Sequence, residues 1–159
     1  MMLTKKISAI LLISALVWIG CSGAPSGAIT EYRTTVGTAT IDDFNMLSNK
    51  LLNRHRYLVD RTLDRGMGAI IECKYKYPGI SNEEALNGIR EIRYILTVEA
   101  RAKGSGGGMY SVRVLVRSYG RFGGNEDWVN IPVNDETKRS VKLFANDLKI
   151  EFENKIRAF

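Results

Sequence analysis

The chain has 159 residues, of which 45% are hydrophobic and 25% are charged, and these values are ordinary for a globular protein. Its formal net charge of +6 is mildly basic rather than the extreme that is typical of nucleic-acid-binding proteins, so we expect no nucleic-acid partner. A single histidine and two separated cysteines supply too few ligands for a zinc site, and we expect no metal.

Residues 1–20 have the layout of a signal peptide. Lys5 and Lys6 form a short positive region, and the apolar run from Ile7 to Ile19 follows it. This run is shorter than the roughly 17–25 residues that a membrane-spanning helix needs. Removing residues 1–20 from the 159 leaves 139 residues with a net charge of +4, which suits one domain with one core.

The end of this segment, Gly20 followed by Cys21, resembles the lipobox of bacterial lipoproteins. In that family the cysteine becomes the first mature residue and carries acyl chains, so the resemblance implies lipidation of Cys21 and a membrane anchor. Trp18 departs from the aliphatic residue that the family has at this place. Ser22 stands where an aspartate retains enterobacterial lipoproteins in the inner membrane, which favours the outer membrane, facing the periplasm. An ordinary secretory signal and an uncleaved N-terminal anchor are the alternatives.

The next elements begin the domain. Residues 21–27 contain the lipobox cysteine and small polar residues and predict a flexible tether, and residues 28–159 predict a single periplasmic domain. Ala28 to Thr38 is rich in threonine and predicts the first strand. Thr40 predicts the start of a helix, because its hydroxyl can accept a bond from a free amide of the first turn. Apolar residues at three- and four-residue steps predict that this helix extends to about Arg65.

Alternating apolar and charged residues predict the strands that follow. The predicted strands cover Met67 to Tyr77, Arg90 to Ala102, Met109 to Tyr119 and Trp128 to Val133. Ser81 and Glu84 form a capping-box pattern, which predicts a short helical turn between the first two of these strands. Cys73 lies in the apolar register of its strand, so we expect it to be a small buried core residue. An intermolecular disulfide is the alternative.

The last helix is predicted to begin near Asn134 or Asp135, and its apolar stripe is the clearest in the chain. The stripe consists of Val141, Phe144, Ala145, Leu148, Phe152, Ile156 and Phe159. Together the elements predict an α+β fold. We expect a two-layer sandwich, in which two long amphipathic helices pack on one face of a mostly antiparallel sheet of four to five strands.

This order of elements behind a lipobox resembles the lipopolysaccharide-assembly lipoprotein LptE family. That family has two helices packed on a four-stranded sheet, and it acts as a plug and chaperone for an outer-membrane translocon barrel. The resemblance implies a role as an assembly subunit. It depends on the order of the elements, so no individual site residue is carried over from it.

The chain contains no constellation of residues that is typical of a catalytic site. His55 is the only histidine, and it lies on the predicted helical stripe, where a structural role is expected. The sequence has neither a Gly-x-Ser-x-Gly nucleophile motif nor a phosphate-binding loop. We therefore predict that the protein is not an enzyme and has no cofactor.

Two features are candidates for partner binding. The first is a basic open face of the sheet, where the polar register of the strands would gather positive side chains. These are Lys74, Lys76, Arg93, Arg101, Arg113 and Arg117. The alternative is a solvated face that is balanced by Glu72, Glu91 and Glu99. The second is the turn from Gly120 to Trp128, in which Phe122 and Trp128 are large aromatic anchors; packing of these rings on the domain's own edge is the alternative.

These features predict a lipid-anchored, non-enzymatic envelope lipoprotein that binds or scaffolds another component of the cell envelope. Besides the membrane, we expect its partner to be another envelope protein or an anionic envelope component. An LptE-like assembly subunit is one alternative. A carrier of a small ligand or lipid is another, and it would need a cavity between the helices and the sheet.

Overall fold

The computed structural model describes residues 30–104, 108–123 and 127–157. The predicted signal peptide, the lipidation site at Cys21, the tether and Phe159 lie outside the described residues. None of the helices in the described ranges has the length and hydropathy of a membrane span. In chain order the elements are β1 (Glu31–Ala39), α1 (Ile41–Arg54), β2 (Val59–Asp64), β3 (Gly68–Cys73), α2 (Asn82–Leu86), β4 (Glu91–Ala102), β5 (Tyr110–Arg121), β6 (Val129–Ile131) and α3 (Asp135–Arg157).

The strands form one antiparallel sheet in the order β1-β5-β4-β3-β2. The two longest strands, β4 and β5, pair along their whole length from Glu91 opposite Arg121 to Ala102 opposite Tyr110. Strand β6 pairs with the end of β5 that β1 leaves uncovered. The predicted α+β class with an antiparallel sheet is therefore confirmed, and the sheet has one strand more than the four to five that the sequence predicts.

Helix α3 packs on the sheet with the face that its apolar stripe predicts. Val141, Phe144, Leu148 and Phe152 are buried in the core, whereas Ile156 is half exposed. The helix begins at Asp135, where the sequence predicts its start, and the side chain of Asn134 caps it by accepting a hydrogen bond from the amide of Thr137 at 2.8 Å. Helix α1 adds residues to the same core from its buried side: Phe44, Leu47, Leu51 and Leu52.

The prediction that the first helix extends to Arg65 is wrong, because α1 ends at Arg54. Arg56 adopts a left-handed backbone conformation with φ of 58°, which turns the chain out of the helix. The amide of Tyr57 then donates to the carbonyl of Leu52 at 2.8 Å, and the Tyr57 ring enters the core. Residues 59–64 pair with β3 as the edge strand β2 instead of continuing the helix.

The predicted strand from Met67 to Tyr77 is interrupted after Cys73. Glu72 lies opposite Thr97, and a regular ladder would place Lys76 opposite Arg93, but Lys76 pairs with Tyr94. One extra residue is therefore inserted, as in a β-bulge, and the side chains beyond it change face. Because Tyr94 belongs to the core, Lys76 lies on the core side of the sheet. The prediction that Lys76 faces the open side is wrong for this reason, and Tyr75, which shares the register of Cys73 in a regular strand, faces the open side instead.

The short helix α2 begins with the predicted capping box. The amide of Glu84 donates to the Ser81 hydroxyl at 3.3 Å, and the amide of Ser81 donates to a Glu84 carboxylate oxygen at 2.8 Å. The other Glu84 oxygen accepts a bond from the Asn134 side chain at 2.9 Å. This carboxylate thus connects the starts of α2 and α3.

Candidate binding site on the open sheet face

The core lies on one face of the sheet, under α1 and α3, and the other face is open. We refer to it as the open face; alternate residues of β4 and β5 point to it. Three residues of the predicted basic set form ion pairs there. Arg101 and Arg113 contact Glu99 at 3.1 and 3.3 Å, and Arg117 contacts Glu31 at 2.8 Å. Each of these three arginines therefore has a carboxylate partner within the sheet, although Arg101 and Arg113 share the same one.

The other acidic residues that the sequence offers as a balance are paired as well. Glu72 contacts Arg61 at 2.8 Å, and Glu91 forms an ion pair with Arg121. In the middle of the face, Leu115 is only 5% exposed although it points to the open side, and it lines a shallow pocket with Glu72 and Glu99. The middle of the open face therefore carries paired charges rather than a field of positive charge.

The ion pair between Glu31 and Arg117, at the β1 edge of the open face, is charged at neutral pH. Burial raises the pKa of Glu31, but hydrogen bonds from Arg117 and Arg33 outweigh burial and hold the pKa below its usual value. The bond to Glu31 in turn raises the pKa of Arg117. Glu31 thus binds two arginines and leaves neither available for an anionic partner without breaking an ion pair.

At one end of the open face, an arginine lies among aromatic rings. The guanidinium carbon of Arg93 lies 4.2 Å from the centroid of the Tyr75 ring, 4.2 Å from that of Trp128 and 5.6 Å from that of Tyr119. Cation–π contacts of this kind hold a guanidinium against ring faces. We call Tyr75, Tyr77, Arg93, Tyr119, Arg121 and Trp128 the Arg93 cluster.

Different elements bring these side chains together. Tyr119 lies directly opposite Arg93 in the β4–β5 ladder. The bulge after Cys73 turns Tyr75 to the same face, where its ring meets Tyr119 edge-on at 6.0 Å. Trp128 is the residue directly before β6, and its ring contacts the Tyr77 ring edge-on, with 6.5 Å between the centroids. The cluster is therefore built from β4, β5, the segment that follows β3 and the residue that precedes β6.

Arg93 differs from the other arginines of the open face. Within ranges 30–104, 108–123 and 127–157, no carboxylate forms an ion pair with it and no acceptor takes a hydrogen bond from it. Its Nε is buried without a partner in this part of the chain. A guanidinium carries five N–H donors in one plane, which suits two-pronged binding of a carboxylate or phosphate. The cluster can therefore bind an oxyanion without first breaking an ion pair.

The remaining predicted binding residues lie elsewhere. Lys74 is exposed beside the bulge. The Lys76 ammonium lies 4.0 Å from the Tyr57 ring centroid and donates to the carbonyl of His55 at 3.3 Å, and burial lowers its pKa. Phe122 is partly exposed beside Gly88. Of the predicted set, the structure brings Arg93 and Trp128 together in the Arg93 cluster, and it brings Arg101 and Arg113 together on Glu99.

His55 and Cys73 both have structural surroundings. Nε2 of His55 lies 2.8 Å from an Asp147 oxygen, and its ring packs edge-on against Phe144, so His55 joins the end of α1 to α3. Cys73 is buried in the core as predicted, and burial raises the pKa of its thiol to about 12, which suppresses the reactive thiolate. The described ranges contain no group of three acidic, histidine or cysteine residues that could hold a metal ion.

The sequence interpretation missed four members of the Arg93 cluster, namely Tyr75, Tyr77, Tyr119 and Arg121. Tyr119 shares the register of Arg113 and Arg117, so strict alternation along β5 could have identified it. Tyr75 carries no such signal, because its position depends on a bulge that the sequence pattern does not reveal. Comparison of the chain with models of known protein families and with curated proteins gave no match.

Proposed function

We propose that this protein is a lipid-anchored, non-enzymatic lipoprotein of the bacterial outer membrane, which binds another envelope component through the Arg93 cluster. The observation that carries the proposal is the position of Arg93, held by Tyr75 and Trp128 while the neighbouring arginines are paired with carboxylates. The pattern of Gly20 and Cys21 supports the lipid anchor.

The packing of the core favours this proposal over a carrier of a small ligand or lipid. Phe44, Leu51, Phe144 and Leu148 are fully buried between the helices and the sheet and fill the space where a carrier would hold its ligand. The sharing of one core by α1 and α3 also supports the finer proposal of a two-layer sandwich. An LptE-like assembly subunit is one form that such a binding protein could take.

The anchor proposal predicts the location of a cysteine variant. Cys21→Ser is expected to move the protein from the membrane to the soluble periplasmic fraction, because the helices of the described ranges offer no membrane span of their own. Fractionation measures the shift, and labelling with a clickable fatty acid tests lipidation directly. A wild-type protein that takes up no label would end the lipoprotein proposal.

The binding proposal predicts the effect of reversing one charge. Arg93→Glu is expected to abolish co-purification of the native partner from detergent-solubilised membranes, since the variant would repel the anion that the cluster binds. Lys149→Glu is the matched control, because Lys149 is an exposed residue of α3, on the opposite side of the sheet. Mass spectrometry of the purified complexes at low and moderate salt makes the comparison. A folded Arg93→Glu protein that keeps its partner at both salt concentrations contradicts the proposal.

A further inference from the structure

The chemistry of the Arg93 cluster allows its ligand to be named more narrowly than as an anionic component of the envelope. We propose that the cluster binds one carboxylate, an aspartate or glutamate side chain of a partner protein. This inference depends on the proposed function, because it assigns a ligand to the same site.

The first reason is the shape of the donor group. Two aromatic rings lie over the guanidinium of Arg93, that of Tyr75 on the β3 side and that of Trp128 on the β6 side. Each ring centroid is 4.2 Å from the guanidinium carbon. A ligand then approaches the guanidinium at its edge, where the N–H donors lie in one plane. A carboxylate is planar and accepts two parallel N–H bonds in this arrangement. Arg93 is thus already oriented for such a pair, which lowers the entropy that binding costs.

The second reason is the amount of charge. Arg121 lies 5.1 Å from the Trp128 ring centroid and is the other cation of the cluster, but it is paired with Glu91. Within the described ranges, Arg93 is therefore the one unbalanced charge of the cluster. A single positive charge matches a carboxylate, whereas a phosphate monoester carries about −1.5 to −2 at neutral pH and would remain partly unneutralised.

The third reason is a partly apolar groove that begins at Tyr77, a member of the cluster. Tyr77 is 66% exposed, and it forms one wall of a shallow groove of about 380 Å³. The groove continues along Pro78 and Ile80, and Arg90, Glu91 and the buried Ile92 complete its lining. The residues that flank an acidic side chain in a polypeptide can pack in this groove, whereas a free phosphate offers nothing to fill it. Exposed aromatic residues around a central arginine are also a common composition of protein-binding hot spots.

The test uses the lipid-anchored protein in detergent, in which removal of residues 1–20 leaves Trp128 as the only tryptophan, so its fluorescence reports on the cluster. Poly-L-glutamate is the probe, and inorganic phosphate and vesicles of anionic phospholipid are the comparisons. We expect the Trp128 fluorescence to change with added poly-L-glutamate until the change saturates. We also expect poly-L-glutamate to shift the Nε–Hε NMR resonance of Arg93 in the protein that retains Arg93. Phosphate and the vesicles are expected to have little effect at the same charge concentration.

Two variants separate the carboxylate pair from general charge. Arg93→Lys keeps the charge but lacks the planar fork, and we expect it to weaken binding of poly-L-glutamate by at least about tenfold. Arg101→Gln removes a charge from the same face, at a residue that is paired with Glu99, and we expect less than about a twofold effect. Circular dichroism checks that both variants are folded. The NMR resonance of Arg93 tests binding at the same site in a protein whose Arg93 is not substituted.

The outcomes distinguish the carboxylate site from the proposed partner-binding function. Equal losses in Arg93→Lys and Arg101→Gln, tighter binding of phosphate or vesicles, or no response of the Arg93 resonance would each overturn the carboxylate site. If that happens while Arg93→Glu still loses its native partner, the proposed function stands and the ligand is of another class. If poly-L-glutamate binds as expected but Arg93→Glu keeps its native partner, the carboxylate site stands and the proposed partner surface is wrong.

Discussion

Replacing Phe144 by alanine is expected to lower the free energy of unfolding by about 3–5 kcal/mol, the usual cost of removing a large buried ring. Phe144 is 0% exposed, and its ring meets those of His55 and Tyr57 edge-on at 5.5 and 5.7 Å. These contacts connect α3 to the turn that ends α1. The cavity left by the ring would therefore loosen both helices as well as remove apolar burial.

The neighbouring residue provides the control. Leu143 is 59% exposed on the same helix, and Leu143→Ala is expected to change the free energy of unfolding by less than about 0.5 kcal/mol. Chemical denaturation of both variants measures the difference. Leu148→Ala and Phe152→Ala should resemble Phe144→Ala, and Lys149→Ala should resemble Leu143→Ala. Equal denaturation midpoints for Phe144→Ala and Leu143→Ala would show that α3 is not docked on the sheet.

Much of the sheet could be predicted from the sequence, because its central strands follow the two-residue period without interruption. In β4, alternate residues from Ile92 to Ala100 are buried, and the residues between them are not. Strand β5 shows the same pattern except at Leu115, which is buried although it points to the open face. The apolar stripe of α3 is equally regular, so its core face was predicted apart from its C-terminal end.

The end of α1 could not be predicted, because residues 58–64 fit two patterns. Leu58, Thr62 and Leu63 continue the helical spacing, but they can also occupy an edge strand. The choice depends on pairing with β3 and on the left-handed turn at Arg56, and both are tertiary effects. Leu58 is consequently exposed rather than part of the core.

The candidate site shows the same division. Parity along β4 identified Arg93, and the aromatic turn identified Trp128, but as two separate surfaces. They meet because β6 pairs with the end of β5, and Tyr75 joins them because of the bulge after Cys73. Parity also grouped Arg93 with Arg101, Arg113 and Arg117, since a pattern of alternation does not show which arginines have carboxylate neighbours.

Replacing Gly68 by alanine is expected to destabilise the protein by about 3 kcal/mol or more, at the upper end of the cost of overpacking. A Cβ atom at this position would lie 2.1 Å from the carbonyl oxygen of Ala100, on the neighbouring strand. The oxygen belongs to the backbone of β4, so it cannot move aside as the end of a flexible side chain could. Relief of the clash requires the β3–β4 ladder to separate at its first pair, Gly68 opposite Arg101.

A second glycine tests whether the effect comes from this close approach or from the loss of glycine as such. A Cβ atom at Gly79 would meet nothing within 4 Å, and Gly79 has no positive φ. Gly79→Ala is therefore expected to leave the denaturation midpoint unchanged or slightly raised, because alanine restricts the unfolded chain more than glycine does. Amide hydrogen exchange along β3 and β4 should show faster opening in Gly68→Ala alone. Native stability and exchange in Gly68→Ala would mean that β3 and β4 are not paired in the register described, and the bulge that places Tyr75 beside Arg93 would then lose its structural basis.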